Sequence, residues 1–389
     1  MTKKEPLKVA IVSSLIGGLG HYCSHLAEPL AQSCQLKFFT YPQIDLTGTT
    51  VHGLTDPFVK ENIKWPRFDL DETNPYSIVD INDYLKKKNF QVLNLHVGTT
   101  VKQKIVYFTT LLMYTKLING LKTVFSLHDV LPFEEDKKLR KILKMFYCLG
   151  DCFIVGNDSE KEKLKNFFDV PYKKINIVHH GIYNLFDKSQ FTQNLARAYL
   201  GIPLDKKVVL FFGWLREHKG LEYLIRAANK LRKHEPNLCF YVASALKYAS
   251  PGLVNKCLYL IKRLKVEDIF MLNFKYLESW DIEPVFKAAD IVALPYTKVS
   301  QSGVLMMAMG FKKPVVITDV FYEKKWVANR AGLVTKTKDA EALSDRLSQL
   351  LDNKSLANRY GKAGYRYTLT NFNWQKIANQ YFQIYSKVI

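Results

Sequence analysis

Short runs of β-branched and aromatic residues alternate with longer segments whose apolar positions recur at helical spacing, along almost the whole chain. This alternation predicts strands joined by crossover helices, and so an α/β fold built on parallel sheets. In the first half the predicted strands are 8–13, 36–41, 92–96, 123–127, 152–155 and 175–178. Helices are predicted between them at 21–31 and 159–168, the second capped by Asp158 or Ser159. A polar stretch over 184–205 breaks the pattern before it restarts at Lys207-Val-Val-Leu-Phe-Phe-Gly213. The second half offers strands at 208–212, 239–243, 269–272, 290–294 and 314–317. Apolar positions at Ile377, Tyr381, Phe382, Ile384 and Tyr385 predict a closing amphipathic helix. The pattern as a whole predicts two doubly wound, Rossmann-like domains, 1–185 and 186–370, followed by a terminal helix over 371–389. Domains of this kind take ligands beyond the carboxyl ends of their strands, and two of them face to face would form a cleft.

Composition narrows the class. With 389 residues, 48% hydrophobic and 24% charged, the chain has the globular mixture and is long enough for two cores, so disordered and collagen-like readings fail. Lys and Arg number 56 against 36 Asp and Glu, a formal charge of +20, which points to an anionic partner: nucleic acid, phosphate-bearing metabolites or an acidic membrane. No RNP, KH, zinc-finger or helix-turn-helix pattern appears, so nucleic acid is not expected. The apolar run 105–115 falls far short of the roughly 20 residues needed to cross a bilayer. Residues Met1 to Glu5 are polar and no signal peptide fits, so a cytoplasmic location is expected. The six cysteines form no CxxC pair and are expected to be buried, reduced thiols.

Candidate chemistry sits at predicted strand ends. The first strand runs into Leu15-Ile-Gly-Gly-Leu-Gly-His21, ahead of a helix beginning near His21. Gly17, Gly18 and Gly20 would let backbone approach a ligand, and helix-start N–H groups favour negative charge. The spacing is not GxGxxG, and a plain tight turn is the alternative. His128, opening His128-Asp129-Val130-Leu131-Pro132, can donate to a sugar hydroxyl or phosphate, or can tie strand to loop. In Gly213-Trp-Leu-Arg-Glu-His-Lys-Gly220, Arg216 and Lys219 can neutralise phosphate oxygens, a solvated basic loop being the alternative. In Ser300-Gln-Ser-Gly-Val-Leu305, Ser302 as a cap with the N–H groups of Gly303 and Val304 makes either an anion site or an ordinary capped helix. The last two loops belong to one domain and are expected to converge, where a diphosphate is the natural guest.

Other signals carry less. Asp69-Leu-Asp71 matches a metal-binding DxD, but in a polar loop it arises by chance, and no metal site is predicted. No GxSxG elbow surrounds any serine. His179 and His180 suit a hinge or surface role better than the lining of a cleft. Lys102, Lys104 and Lys116 around the apolar run, and the five cations of 137–146, could lie on anionic lipid or be ordinary solvated helix faces.

The order of GGLGH, HDVLP, FFGWLREHKGLEYLI, ADIVALPY, SQSGV and KKPVVITD resembles the retaining glycosyltransferases of family 4, within the glycosyl transferases group 1. The resemblance implies the GT-B fold and a terminal helix that crosses back to the first domain. It also implies transfer of a sugar from a nucleotide-diphosphate donor to a glycan or lipid-linked acceptor with retention, without a bound metal or other cofactor. A cytoplasmic protein peripheral on the inner face of the plasma membrane would fit. Residue by residue, it implies Gly17, Gly18 and Gly20 near donor and acceptor, His128 on the donor sugar and Lys219 on phosphate. Arg216 is displaced from the family's arginine, where this chain has Trp214. The family's two glutamates fall on Val299 and Met307, with no carboxylate between. Ser300, Gln301 and Ser302 could supply neutral hydrogen bonds instead, beside the amides of Gly303 and Val304. That departure keeps open a catalytically inactive glycan- or nucleotide-binding partner of the same fold.

Overall fold

Strand β1, Lys8–Ser13, has five of its six residues buried, as expected of a strand covered on both faces. The computed structural model to which it belongs describes residues 5–15, 17–41, 43–44, 50–51, 57–64, 67–71, 74, 76–98, 105–131, 137–246 and 249–389. The chain forms two compact units, residues 1–181 with 372–389, and residues 182–371.

In the first unit β1 is followed by α1 (Gly17–Ala31), β2 (Gln35–Thr40), a small antiparallel pair β3 (Gln43–Ile44) and β4 (Thr50–Val51), α2 (Pro57–Asn62) and β5 (Arg67–Asp69). Then come α3 (Tyr76–Lys87), β6 (Val92–Val97), α4 (Ile105–Asn119), β7 (Lys122–Leu127), α5 (Lys137–Tyr147), β8 (Cys152–Val155), α6 (Asp158–Phe168) and β9 (Ile175–Ile177). The large sheet is parallel, in the order β5-β2-β1-β6-β7-β8-β9.

The second unit runs α7 (Gln193–Leu200), β10 (Lys207–Phe212), α8 (Leu221–Leu231), β11 (Leu238–Ala243), α9 (Pro251–Arg263), β12 (Phe270–Asn273) and α10 (Ile282–Ala288). It continues with β13 (Ile291–Leu294), α11 (Gly303–Gly310), β14 (Val315–Thr318), α12 (Lys324–Val327), β15 (Gly332–Thr335), α13 (Ala340–Leu351) and α14 (Lys354–Asn371). Its parallel sheet has the order β12-β11-β10-β13-β14-β15. The order reverses between β10 and β13, and in the first unit between β1 and β6, so each unit opens its ligand crevice at those strand ends. Helix α15 (Trp374–Val388) groups with the first unit, where Tyr381 Oη lies 3.1 Å from Tyr22 Oη of α1.

Four local expectations change. Helix α1 starts at Gly17, so the glycines form its first turn and not a loop before His21. Helix α6 is capped by Asn157, whose side chain accepts from Glu160 N at 3.0 Å, one residue before the caps read from the sequence. Asp69 ends an edge strand paired with Thr40, so its backbone is not in a loop. Five cysteines are buried, but Cys148 is exposed, because it lies in the turn just after α5. Lys102, Lys104 and Pro132 lie outside the described residues.

Candidate active site

The crevice of the second unit is framed by the segments leaving β10 and β13. After β10 the chain turns at Gly213, whose φ of 111° only glycine adopts without strain. It then makes one tight turn over Glu217–Lys219 and enters α8 through Gly220 at φ 71°. That turn is bolted to the segment beyond β13. His218 O accepts from Thr297 N at 2.7 Å, and a Cβ on Gly220 would lie 2.0 Å from Pro295 O. Lys219 Nζ donates to the buried Tyr296 hydroxyl at 2.8 Å. The hydroxyl contact and the 4.6 Å distance to the ring centroid place the ammonium near the rim of the ring.

Helix α11 begins at the same spot. A Cβ on Gly213 would sit 3.1 Å from Lys219 Nζ and 3.5 Å from Val304 Cγ2, so the cationic turn and the first turn of α11 share one niche above Gly213. Ser302 caps α11, its Oγ accepting from Leu305 N at 3.2 Å. The N–H groups of Gly303 and Val304 precede the first intrahelical donor, so they suit an anion. The charge there is positive. His218, half-buried, is pushed down to about 3 by burial and then by the charges of Lys219, Arg216 and Lys298. Lys219 and the helix start at Gly303 and Val304 therefore come together, with Gln301 and Ser302 leading into that helix; Arg216, in the same turn, is close enough to act on His218.

Sequence reasoning missed Tyr296, which the segment after β13 delivers beside Lys219, and Lys298, whose charge reaches His218. At the positions of the family's glutamates, Val299 is half-buried and Met307 lies buried inside α11, a helix apolar on all sides. Glu323, at the start of α12, has its Oε2 without a hydrogen-bond partner among the described residues, and burial pushes its carboxyl up to about 7.

In the first unit the three glycines divide. A Cβ on Gly20 would lie 2.5 Å from Leu15 O, so Gly20 is required by packing, whereas Gly18 faces open space and Gly17 has φ 55°. His128 is half-buried at the end of β7, edge-on to Tyr22 with ring centroids 4.7 Å apart. His96 Nδ1 lies 3.2 Å from its Nε2. His180 is buried, against a surface role, and packs on Tyr22 and Trp374, while the first unit's main segment ends at the next residue, Gly181.

Burial pushes His96 down to about 3 and His180 to about 4. Their folded values lie below the ordinary one near 6.5, so the unfolded chain takes up protons that the folded chain does not. Stability is full above pH 6.5 and falls on acidification, by about 1.4 kcal/mol per pH unit for each of these two histidines. Glu323, shifted up, acts in the opposite sense but is one group against four lowered histidines, His218 and His128 included. Urea midpoints are therefore expected to fall between pH 6.5 and 5; a flat or rising midpoint would contradict the burial of these rings.

Residues 192–367 match the family model for glycosyl transferases group 1. The match lies within the second unit and takes in most of it. The chain is 29% identical over 248 residues to a D-inositol 3-phosphate glycosyltransferase of Corynebacterium urealyticum, a match spanning 61% of the chain and 56% of that relative. The chain thus aligns with little more than half the length of that relative. Over 97% of its length it is 21% identical to an uncharacterized glycosyltransferase of Methanocaldococcus jannaschii, covering 98% of it. Among solved structures it is similar to sucrose-phosphate synthase from Thermosynechococcus elongatus, with TM-score 0.75, 18% identity and 98% and 99% of the two chains covered. It is also similar to Anabaena HepE in complex with UDP and glucose, with TM-score 0.76, 15% identity and 98% and 100% covered. These likenesses show a GT-B fold of two parallel-sheet units. Among the described residues no helix is long and apolar enough to cross a membrane.

Proposed function

We propose that the protein transfers a sugar from a nucleotide-diphosphate donor to a hydroxyl of a glycan or lipid-linked acceptor, with retention at the anomeric carbon. The observation that carries this is the shared niche of Lys219 and the first turn of α11 at Gly213. Breaking the sugar–phosphate bond builds negative charge on the departing diphosphate, and fixed cations and amides there lower the barrier. Arg216, Lys219 and the N–H groups of Gly303 and Val304 supply that charge complement, a role that needs no metal. The acceptor oxygen bonds to the anomeric carbon on the face the diphosphate leaves, and the acceptor proton passes to the departing phosphate oxygen. His128 contacts the donor sugar, and the backbone at Gly17 and Gly18 lies close to the donor. UDP in the complex of the similar HepE supports a uridine nucleotide as the first donor to try.

Thermal stabilisation by a panel of nucleotide sugars in EDTA, then product analysis for anomeric configuration, tests this reading. Turnover with retention is expected; inversion, or no stabilisation by any nucleotide sugar, would overturn it. Stabilisation without turnover would favour the inactive binding partner, the reading motivated by Val299 and Met307.

A membrane-bound acceptor fits the exposed sides of α5 and α4 in the first unit. Helix α5 exposes Lys137, Lys138 and Lys141 beside Ile142 and Met145, and α4 exposes Val106, Met113 and Leu117. Two further α5 cations are engaged locally, Lys144 with Asp169 at 2.5 Å and Arg140 over the Phe167 ring. Such a mixed basic and apolar face suits anionic lipid. Co-sedimentation with vesicles rich in phosphatidylglycerol is expected at low salt, and to weaken several-fold in Lys137→Glu/Lys141→Glu. Equal recovery with neutral vesicles would exclude the anionic-surface reading.

A further inference from the structure

A chain of buried side chains runs beneath His128 to the terminal helix, and it determines where protons sit. Asn94 and His96 lie on β6 and Ser126 on β7, all fully or nearly fully buried. Register places His96 beside Ser126. The Asn94 amide Nδ2 donates to Tyr385 Oη at 2.6 Å and lies 3.3 Å from His96 Nε2, while Asn94 Oδ1 accepts from Ser126 Oγ at 3.0 Å. Tyr381 stacks near the His96 ring, with centroids 6.2 Å apart, and its hydroxyl meets that of Tyr22. In the structure the amide nitrogen faces Tyr385 and His96 and the amide oxygen faces Ser126, and each hydroxyl partner can take the matching role.

An amide nitrogen only donates, so His96 Nε2 accepts. A neutral imidazole carries one N–H, which then sits on His96 Nδ1 and points at His128 Nε2, 3.2 Å away. We propose that His96 is a positioning residue that fixes the tautomer of His128, leaving Nδ1–H as the donor of that ring. The inference deepens the reading of His128 as a donor-sugar contact and rests on it for its effect on turnover. Burial holds both rings neutral: His96 is lowered to about 3, and His128 well below the ordinary range, with His96 and His180 adding to the effect. A single neutral tautomer presents one donor and one acceptor in fixed places, whereas a mixture would offer the donor only part of the time. The other end of the chain is Tyr381 and Tyr385 on α15, so the last helix helps set a proton at the end of β7.

The test is long-range 1H–15N spectroscopy of histidine-labelled full-length protein, with the His128 signals assigned by their loss in His128→Gln. The wild type is expected to carry the His128 proton on Nδ1, with Nε2 the unprotonated nitrogen. In His96→Leu that pattern is expected to give way to a tautomer mixture, and kcat to fall about ten-fold or more with UDP affinity unchanged. In His96→Asn, whose amide nitrogen can replace the Nδ1 donor, both tautomer and kcat should recover. If His96→Leu does not fold, the wild-type and His96→Asn spectra decide. A wild-type proton on His128 Nε2, or a His128 tautomer indifferent to residue 96, would overturn the proposal. A tautomer that follows residue 96 while kcat stays constant would keep the positioning and remove His128 from the sugar.

Discussion

Lys219→Ala is expected to lower turnover of a nucleotide sugar by roughly 10²- to 10³-fold, the scale of losing one preorganised charge partner at a leaving group. The loss should fall on kcat more than on acceptor KM, because the charge on the diphosphate is greatest as its bond to the sugar breaks. Lys219 is half-buried and hydrogen-bonded to Tyr296, so a second comparison separates charge from packing. Tyr296→Phe removes the hydroxyl that holds the ammonium but keeps the ring on Phe321, 5.2 Å away between centroids, and should cost far less than Lys219→Ala. Steady-state kinetics with circular dichroism as a folding control checks both variants. Full activity in Lys219→Ala would remove the residue from the mechanism.

Gly213→Ala is expected to lower donor turnover on the order of 100-fold, since a misplacement of about 1 Å near reacting groups can cost that much in rate, and to weaken donor binding with it. The new methyl would stand 3.1 Å from Lys219 Nζ and 3.5 Å from Val304 Cγ2, in the space between the two anion-seeking elements. The flexible end of Lys219 can move aside, so the steric cost to folding is small. The φ of 111° adds about 1–3 kcal/mol of backbone strain. Calorimetric titration with nucleoside diphosphate, beside a urea melt, distinguishes the two effects. A melt shifted as expected with unchanged affinity would show that the niche above Gly213 does not hold the phosphates.

Much of the fold was legible because β-branched runs such as Lys8–Ser13 and Cys152–Val155 are buried on both faces and leave an unbroken apolar signature. Edge strands left less: Arg67–Asp69 and Gly332–Thr335 are short, and the first carries Arg and Asp at its ends. Of the candidate site, the residues on loops after strands could be found from position and charge, as with Lys219 and Ser302. Tyr296 could not, because an aromatic residue after a strand looks like core until Lys219 is seen to donate to it. Asn94, His96 and Ser126 were hidden for a related reason. Each sits inside an apolar strand, and what gives it meaning is β6–β7 register together with Tyr385 of the terminal helix, which no local pattern announces. The glycines of α1 show the converse: a motif read as one ligand loop divides into Gly20, fixed by its contact with Leu15, and Gly18, where an added methyl would meet nothing within 4 Å.

The most direct test is a crystal structure of the protein with the nucleoside diphosphate selected by the thermal screen. The diphosphate should lie above Gly213, with its oxygens hydrogen-bonded to Lys219 Nζ and to the amides of Gly303 and Val304. A nucleotide bound at other strand ends, with that niche still holding only the Lys219 side chain, would contradict the account.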